Sequence, residues 1–288
     1  MPDCGRIVEI RSNRSAGEWT LIVTTRPSSM LDHFSTLLKR ALPAGVDVRV
    51  GTPQGTILFT SSRAEQLEST RAFMELLRDS VTIDDEAVMS HALGVHWFAD
   101  IKERSQLGDL VERAKDYGSS NPSDPAAVEQ IQNATLSWLA RHPVIRSVDA
   151  VAAIPGTQPK DVDLPATLAD TISGRLGLRR LSLRSRNQRP QKGQSGSTAS
   201  RARSLGALMN ADRDAFGRRV LLVDDIYRSG NSMMAGLRAL RRAGASTIIC
   251  LAITKTARDC NGLPASVDNW PDELPETLEA ESFDVPFC

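Results

Sequence analysis

The sequence predicts an α/β protein: a domain with a central parallel sheet, preceded by a smaller α+β domain of ββαββα type. Three observations predict this. An apolar run, Val220-Leu221-Leu222-Val223, leads through two acids and a turn of small residues into a helical pattern. A second strand–loop–helix, residues 148–176, comes before it. Residues 5–80 read as two copies of a unit made of two short strands and a helix. Short continuous apolar runs belong to strands buried on both faces, as in a parallel sheet, whereas hairpin pairs build antiparallel ones.

The first repeat passes from Val8 through Thr20–Thr25 to a helix carrying Met30, Phe34, Leu37 and Ala41. The second passes from Val46–Val50 through Thr56–Ser61 to a helix carrying Leu67, Met74 and Leu77. The loops 13–17 and 51–55 sit where hairpin turns belong. Nothing in residues 1–85 suggests chemistry. They read as a self-association or partner-binding domain, with a regulatory ligand site as the alternative.

Residues 81–120 read as the connection between the halves, with one helix marked by Leu107, Leu110, Val111 and Ala114 at i, i+3, i+4, i+7. After a polar linker, Ser123 or Asp124 caps the next helix, with Pro125 in its first turn. Val128, Ile131, Trp138 and Leu139 form its apolar face. Residues 148–154 are a buried strand ended by Pro155-Gly156, and Leu164, Leu168, Ile172 and Leu176 place a helix that stops at Gly177. Residues 181–186 read as a short strand. Residues 187–205 form a polar loop rich in Gly, Ser and cations, and long loops inside compact domains are usually functional. After residues 219–244 a buried strand spans 246–254. Residues 261–288 hold seven acids, four prolines and no Lys or Arg, so they read as an acidic tail.

Residues 219–233 carry the chemistry. A turn that opens a helix presents N–H groups and the positive end of a dipole to a phosphate. Ser229 and Ser232 add hydroxyls, and Gly230 lets the backbone approach closely. Asp224 and Asp225, at the strand end, could accept hydrogen bonds from two ribose hydroxyls. Such a site would grip a ribose 5-phosphate at both ends. The plainer alternative is an acidic turn that only caps a helix.

This stretch resembles the phosphoribosyl pyrophosphate (PRPP) motif of type I phosphoribosyltransferases, with Asp224, Asp225, Ser229, Gly230 and Ser232 filling its fixed positions. The resemblance runs from about residue 100 to about 258. Gln106–Tyr117 and the Pro190-Gln191-Lys192-Gly193 step are similar to the ComF-type, amidophosphoribosyltransferase-like branch. The resemblance implies a phosphoribosyltransferase-like domain at 86–260 and contacts to substrate from Ile226, Tyr227, Arg228, Ser229, Gly230, Asn231 and Ser232. It implies a pyrophosphate loop of Gly156, Thr157 and Lys160, and a mobile hood loop whose Lys192 and Arg201, with Arg189, close over PRPP. It also implies Mg²⁺ carried by PRPP and touching Asp224 and Asp225 only indirectly. Two departures stand out. The chain lacks the N-terminal cysteine cluster common in ComF-type proteins. Arg228 stands where the family has a small residue or a purine-serving acid, which argues against a 6-oxopurine acceptor.

The expected function is therefore transfer of ribose 5-phosphate from Mg-PRPP to a nucleophile with release of pyrophosphate. The alternative is a non-catalytic module that senses PRPP or a nucleotide, or binds a partner in DNA handling. A third reading is a nucleic-acid binder using the basic stretch 175–219, which would show steep salt dependence. Composition narrows these little. With 35 Lys and Arg against 35 Asp and Glu, bulk charge implies no polyanion partner. There is no apolar run long enough to cross a bilayer and no signal-peptide pattern, so a cytoplasmic protein is expected. The four cysteines form no CxxC pair, and His91 and His96, five apart, do not share a helix face, so no protein-held zinc is expected.

Overall fold

The computed structural model describes residues 4–15, 18–26, 28–42, 45–51, 55–97, 103–117, 122–142, 145–156, 162–185 and 209–256. The first repeat is β1 (Cys4–Ser15), β2 (Glu18–Arg26) and α1 (Leu31–Ala41). The second is β3 (Asp47–Gly51), β4 (Thr56–Ser61) and α2 (Ala64–Arg78). Leu21, Val23 and Thr25 are buried while Thr20, Ile22 and Thr24 are half-exposed, the alternation of a sheet covered on one face. Phe34, Leu37 and Leu38 of α1, and Phe73, Met74 and Leu77 of α2, cover that face.

Two strands then lie where a simple connection was expected: β5 (Val81–Ile83) and β6 (Met89–Trp97). His91, Gly94 and His96 interrupt the apolar run of β6, so its sequence does not read as a buried strand. Yet seven of its nine residues are buried, which places it in the middle of the sheet. Helix α3 (Gln106–Ala114) follows, capped by the Ser105 hydroxyl, which accepts from the Gly108 N–H. Gly108 lies so close to the His96 carbonyl that any side chain there would collide with it. Helix α4 (Pro125–Arg141) starts at Asp124, whose carboxylate accepts from the Ala126 and Ala127 N–H groups.

The remaining elements are β7 (Ala150–Ala153), α5 (Leu164–Leu176), β8 (Arg179–Leu181), β9 (Leu183–Ser185), β10 (Met209–Ala211), β11 (Arg219–Tyr227), α6 (Asn231–Arg242) and β12 (Thr247–Thr256). The expected strand at 181–186 is thus two strands parted at Ser182. β8 joins the main sheet beside β7, and β9 pairs with β10 in a separate ribbon. Helix α5 ends at Gly177 in the left-handed region, φ 65°, as its sequence implies.

One sheet carries ten strands in the order β3-β4-β2-β1-β5-β6-β12-β11-β7-β8. From β6 to β8 every neighbouring pair is parallel. From β3 to β6 every pair is antiparallel. Helices α1 to α5 share one apolar core on one face, and that core runs through both halves of the chain. Helix α6 packs on the other face. A Cβ on Gly236 would lie 2.5 Å from Ile154 Cδ1, so this glycine lets α6 sit close against the parallel strands. No helix among the described residues is long and apolar enough to cross a membrane.

Candidate active site at the C-terminal ends of the parallel strands

Strand β11 lies between β7 and β12 and is buried from Val220 to Asp224. In open α/β sheets ligands bind beyond the carboxyl ends of such strands. Asp224 and Asp225 lie near that end but still inside β11, with Asp224 paired to Ala252 of β12, whereas the sequence placed them just after the strand. Asp224 is 8% exposed, and its Oδ1 accepts the Asp225 N–H at 3.0 Å. Asp225 Oδ1 accepts the Ile226 N–H at 2.7 Å, and its Oδ2 lies 2.7 Å from Lys115 Nζ. Burial pushes the Asp225 carboxyl up, but the Lys115 ammonium and the Ile226 N–H outweigh it and hold the group below the usual carboxylate range.

The turn follows after Ile226 and Tyr227, which complete β11. Arg228 is exposed, and Ser229, Asn231 and Ser232 are half-buried. Gly230 has φ +77° and is the N-cap of α6 with no side-chain cap of its own; its carbonyl accepts the Met234 N–H at 2.8 Å. The sequence therefore puts a left-handed glycine where the helix begins, a conformation that glycine adopts without steric cost. Ile226 is half-buried beside the acids. Tyr227 turns inward, 2% exposed, and its hydroxyl donates to Asp85 Oδ2 at 2.9 Å.

Beyond β7, the Ile154 N–H donates to the Val223 carbonyl at 2.8 Å, which ties this strand end to the acid pair. The exposed Gly156 donates its N–H to Asp163 Oδ2 at 3.2 Å. Thr157, Lys160, Arg189, Lys192 and Arg201 lie outside the described residues, as does the tail 261–288. A cavity of about 360 Å³ opens beside this loop, lined by Ile154, Pro155, Asp163, Asp170, Arg180 and Asp212 among others. It adjoins the start of the expected pyrophosphate loop and does not include the acid pair.

Sequence reasoning missed Lys115 and the group behind it. His96 Nδ1 lies 3.2 Å from the Thr254 hydroxyl, and His96 Nε2 lies 3.5 Å from Glu112 Oε1. The Tyr117 hydroxyl donates to Glu112 Oε2 at 2.6 Å. Burial depresses His96 and raises Tyr117, so both stay neutral near pH 7. The signal for Lys115 was the spacing of residues 106–117, but nothing local in that segment shows that it faces the acids. Among the described residues no three His, Cys, Asp or Glu side chains gather into a metal site. Two adjacent carboxylates without a third donor fit an ion that keeps its waters and phosphates, such as Mg²⁺, rather than a protein-caged one.

Residues 166–273 match the phosphoribosyl transferase domain model. The match takes in the acid pair, the Gly230 turn and α6, and covers less than half of the chain. No curated protein matches. Among solved structures, the chain is similar to a glutamine PRPP amidotransferase from B. subtilis complexed with ADP and GMP, at 16% identity and TM-score 0.37. That likeness covers 81% of this chain and 46% of the amidotransferase, so the chain spans a little under half of that protein. It is also similar to an adenine phosphoribosyltransferase from Leishmania tarentolae (12% identity, TM-score 0.35, 55% of this chain and 93% of that one). An orotate phosphoribosyltransferase from Aeropyrum pernix gives 17% identity and TM-score 0.31, over 53% and 84% of the two chains. Likeness of this degree carries no argument for function.

Proposed function

We propose that the chain binds Mg-PRPP and transfers its ribose 5-phosphate to a nucleophile, releasing pyrophosphate. The observation that carries this is the placement of Asp224 and Asp225 in the last four residues of β11, five or six positions before the left-handed Gly230 that opens α6. The match to the phosphoribosyl transferase domain over the same residues supports phosphoribosyl transfer in general. In this reading Asp224 and Asp225 hold the ribose hydroxyls, and the turn from Arg228 to Ser232 holds the 5′-phosphate through its N–H groups. Gly156, Thr157 and Lys160 receive the pyrophosphate, and Lys192 and Arg201 close over it. Mg²⁺, bound through the phosphates, would neutralise the leaving group. The residues themselves orient the sugar and place negative charge beneath a ring that becomes cationic as the bond breaks.

The test is calorimetry with Mg²⁺ and PRPP on the full chain and on Asp224→Ala/Asp225→Ala. Binding should be lost in the double variant with the fold intact, and unchanged affinity would sink the assignment. Pyrophosphate release across a panel of nucleobases and amines then identifies the acceptor. Binding without turnover on every acceptor would make the chain a PRPP sensor instead. The Lys115–Asp225 ion pair favours that second reading, because it already satisfies one of the two carboxylates. For residues 1–85 we propose a self-associating unit.

A further inference from the structure

Tyr227 and Asp85 come together from positions 142 residues apart, with Tyr227 buried and Asp85 half-buried. Tyr227 is the last residue of β11. Its ring is buried, and its hydroxyl occupies the space directly under Gly230: a Cβ on Gly230 would lie 2.5 Å from the Tyr227 oxygen. The hydroxyl therefore takes the place that a side chain on Gly230 would fill, against the backbone of the turn. What fixes the hydroxyl is Asp85, in the hairpin between β5 and β6. Its Oδ2 accepts from Tyr227, and its Oδ1 accepts the Ala87 N–H at 2.8 Å. The hairpin is itself held against α6. Glu86 forms an ion pair with Arg238, and its Oε2 lies 3.5 Å from Arg241 Nη1. The Val88 N–H donates to the Ile248 carbonyl at 3.3 Å. Lys255 Nζ lies over the Tyr227 ring, 5.7 Å from its centroid.

We propose that Asp85 and Tyr227 are positioning residues for the phosphate turn: the hairpin outside the matched domain sets, through one buried hydroxyl, the height and aim of the Gly230 backbone. Neither side chain touches the ligand. A ligand held by backbone N–H groups depends on where the backbone sits, so a void under Gly230 lets the turn sink and its N–H groups diverge. This rests on the reading of the turn as the 5′-phosphate site.

The experiment measures affinity on the full chain for ribose 5-phosphate, Mg-PRPP and inorganic pyrophosphate. The proteins are wild type, Tyr227→Phe, Asp85→Ala, the double variant, and Ile131→Val in the distant core of α4. Each single change at the brace should weaken ribose 5-phosphate and PRPP by about tenfold, the worth of one buried hydrogen bond. Pyrophosphate, which lacks the 5′-phosphate, should bind every variant as it binds wild type. The double variant should bind no worse than the weaker single one, since the two residues act as one unit. Ile131→Val should lower the melting temperature and leave all three affinities in place. Should Asp85→Ala fail to fold, Tyr227→Phe, which keeps the ring, carries the test alone. Wild-type affinity for ribose 5-phosphate in Tyr227→Phe overturns the brace and leaves the PRPP site standing. A wild-type chain that binds none of the three ligands overturns both.

Discussion

Asp225 shows how one residue can belong to a binding site and to the fold at once. Its carboxylate is shared between the N–H of the next residue, Ile226, and Lys115, the C-cap residue of α3. Lys115→Met leaves that carboxylate half-buried without its cation, which should cost about 2–3 kcal/mol. The pH dependence follows from the lowered folded value of Asp225. The pair's contribution is present above the unfolded value of about 4 and is lost as pH falls through the lowered folded value. Acid melting curves of wild type and Lys115→Met should therefore converge at low pH and separate above about pH 4; parallel curves would show the pair to be idle. Gly230 is the second such residue. Gly230→Val forces a β-branched residue to φ +77° and drives its Cβ into the Tyr227 hydroxyl. It should lose at least about 1–2 kcal/mol of stability and, with it, ribose 5-phosphate binding. Calorimetry showing full affinity would remove the turn from the site.

At the scale of elements, β11 and α6 were legible and β6 was not. Residues 220–223 are uniformly apolar because both faces of β11 are covered, and Met233, Leu237 and Leu240 recur on the buried face of α6. The acid pair and Gly230 sit at the seam between two such patterns, so the candidate site could be proposed from local sequence. Strand β6 is as buried as β11, but its buried set includes Ser90, His91 and Gly94, and no propensity rule recognises a strand whose histidine faces a core. Lys115 and Asp85 were missed for a related reason. Each reaches the site through a pairing that skips more than a hundred residues, and a sequence shows spacing only along itself. If the start of α6 is an anion cradle, titration with inorganic phosphate should shift the amide resonances of residues 229–233 and leave those at the start of α4 unmoved.

At the scale of the whole molecule, the core contains two histidines whose rings make no hydrogen bond among the described residues. His91 of β6, His142 after α4 and Trp138 of α4 pack ring against ring, with centroids 4.6–5.3 Å apart, and Phe73 of α2 meets His142 edge-on. Among the described residues, the ring nitrogens of both histidines and Trp138 Nε1 are buried without hydrogen-bond partners. Burial pushes His142 down to about 3 and His91 well below its ordinary value, so both are neutral in the fold. Stability is then full above the unfolded value of about 6.5 and falls below it, by up to about 1.4 kcal/mol per pH unit for each histidine. His142→Phe should roughly halve the fall in melting temperature between pH 6.5 and 4.5, leaving the part due to His91; an unchanged slope would contradict this. Light scattering on the full chain tests the proposed self-association of residues 1–85, and a monomer at micromolar concentration would refute it. The strand order also has a consequence during synthesis. Strand β6 leaves the ribosome next to β5, but the other edge of β6 belongs to β12, completed only at residue 256. At 5–20 residues per second, that apolar edge stays open for about 8–32 s. A chain released at residue 245 would keep it open permanently. Such a chain should aggregate where the full-length protein stays dispersed, because an unpaired buried strand recruits whatever edge it meets.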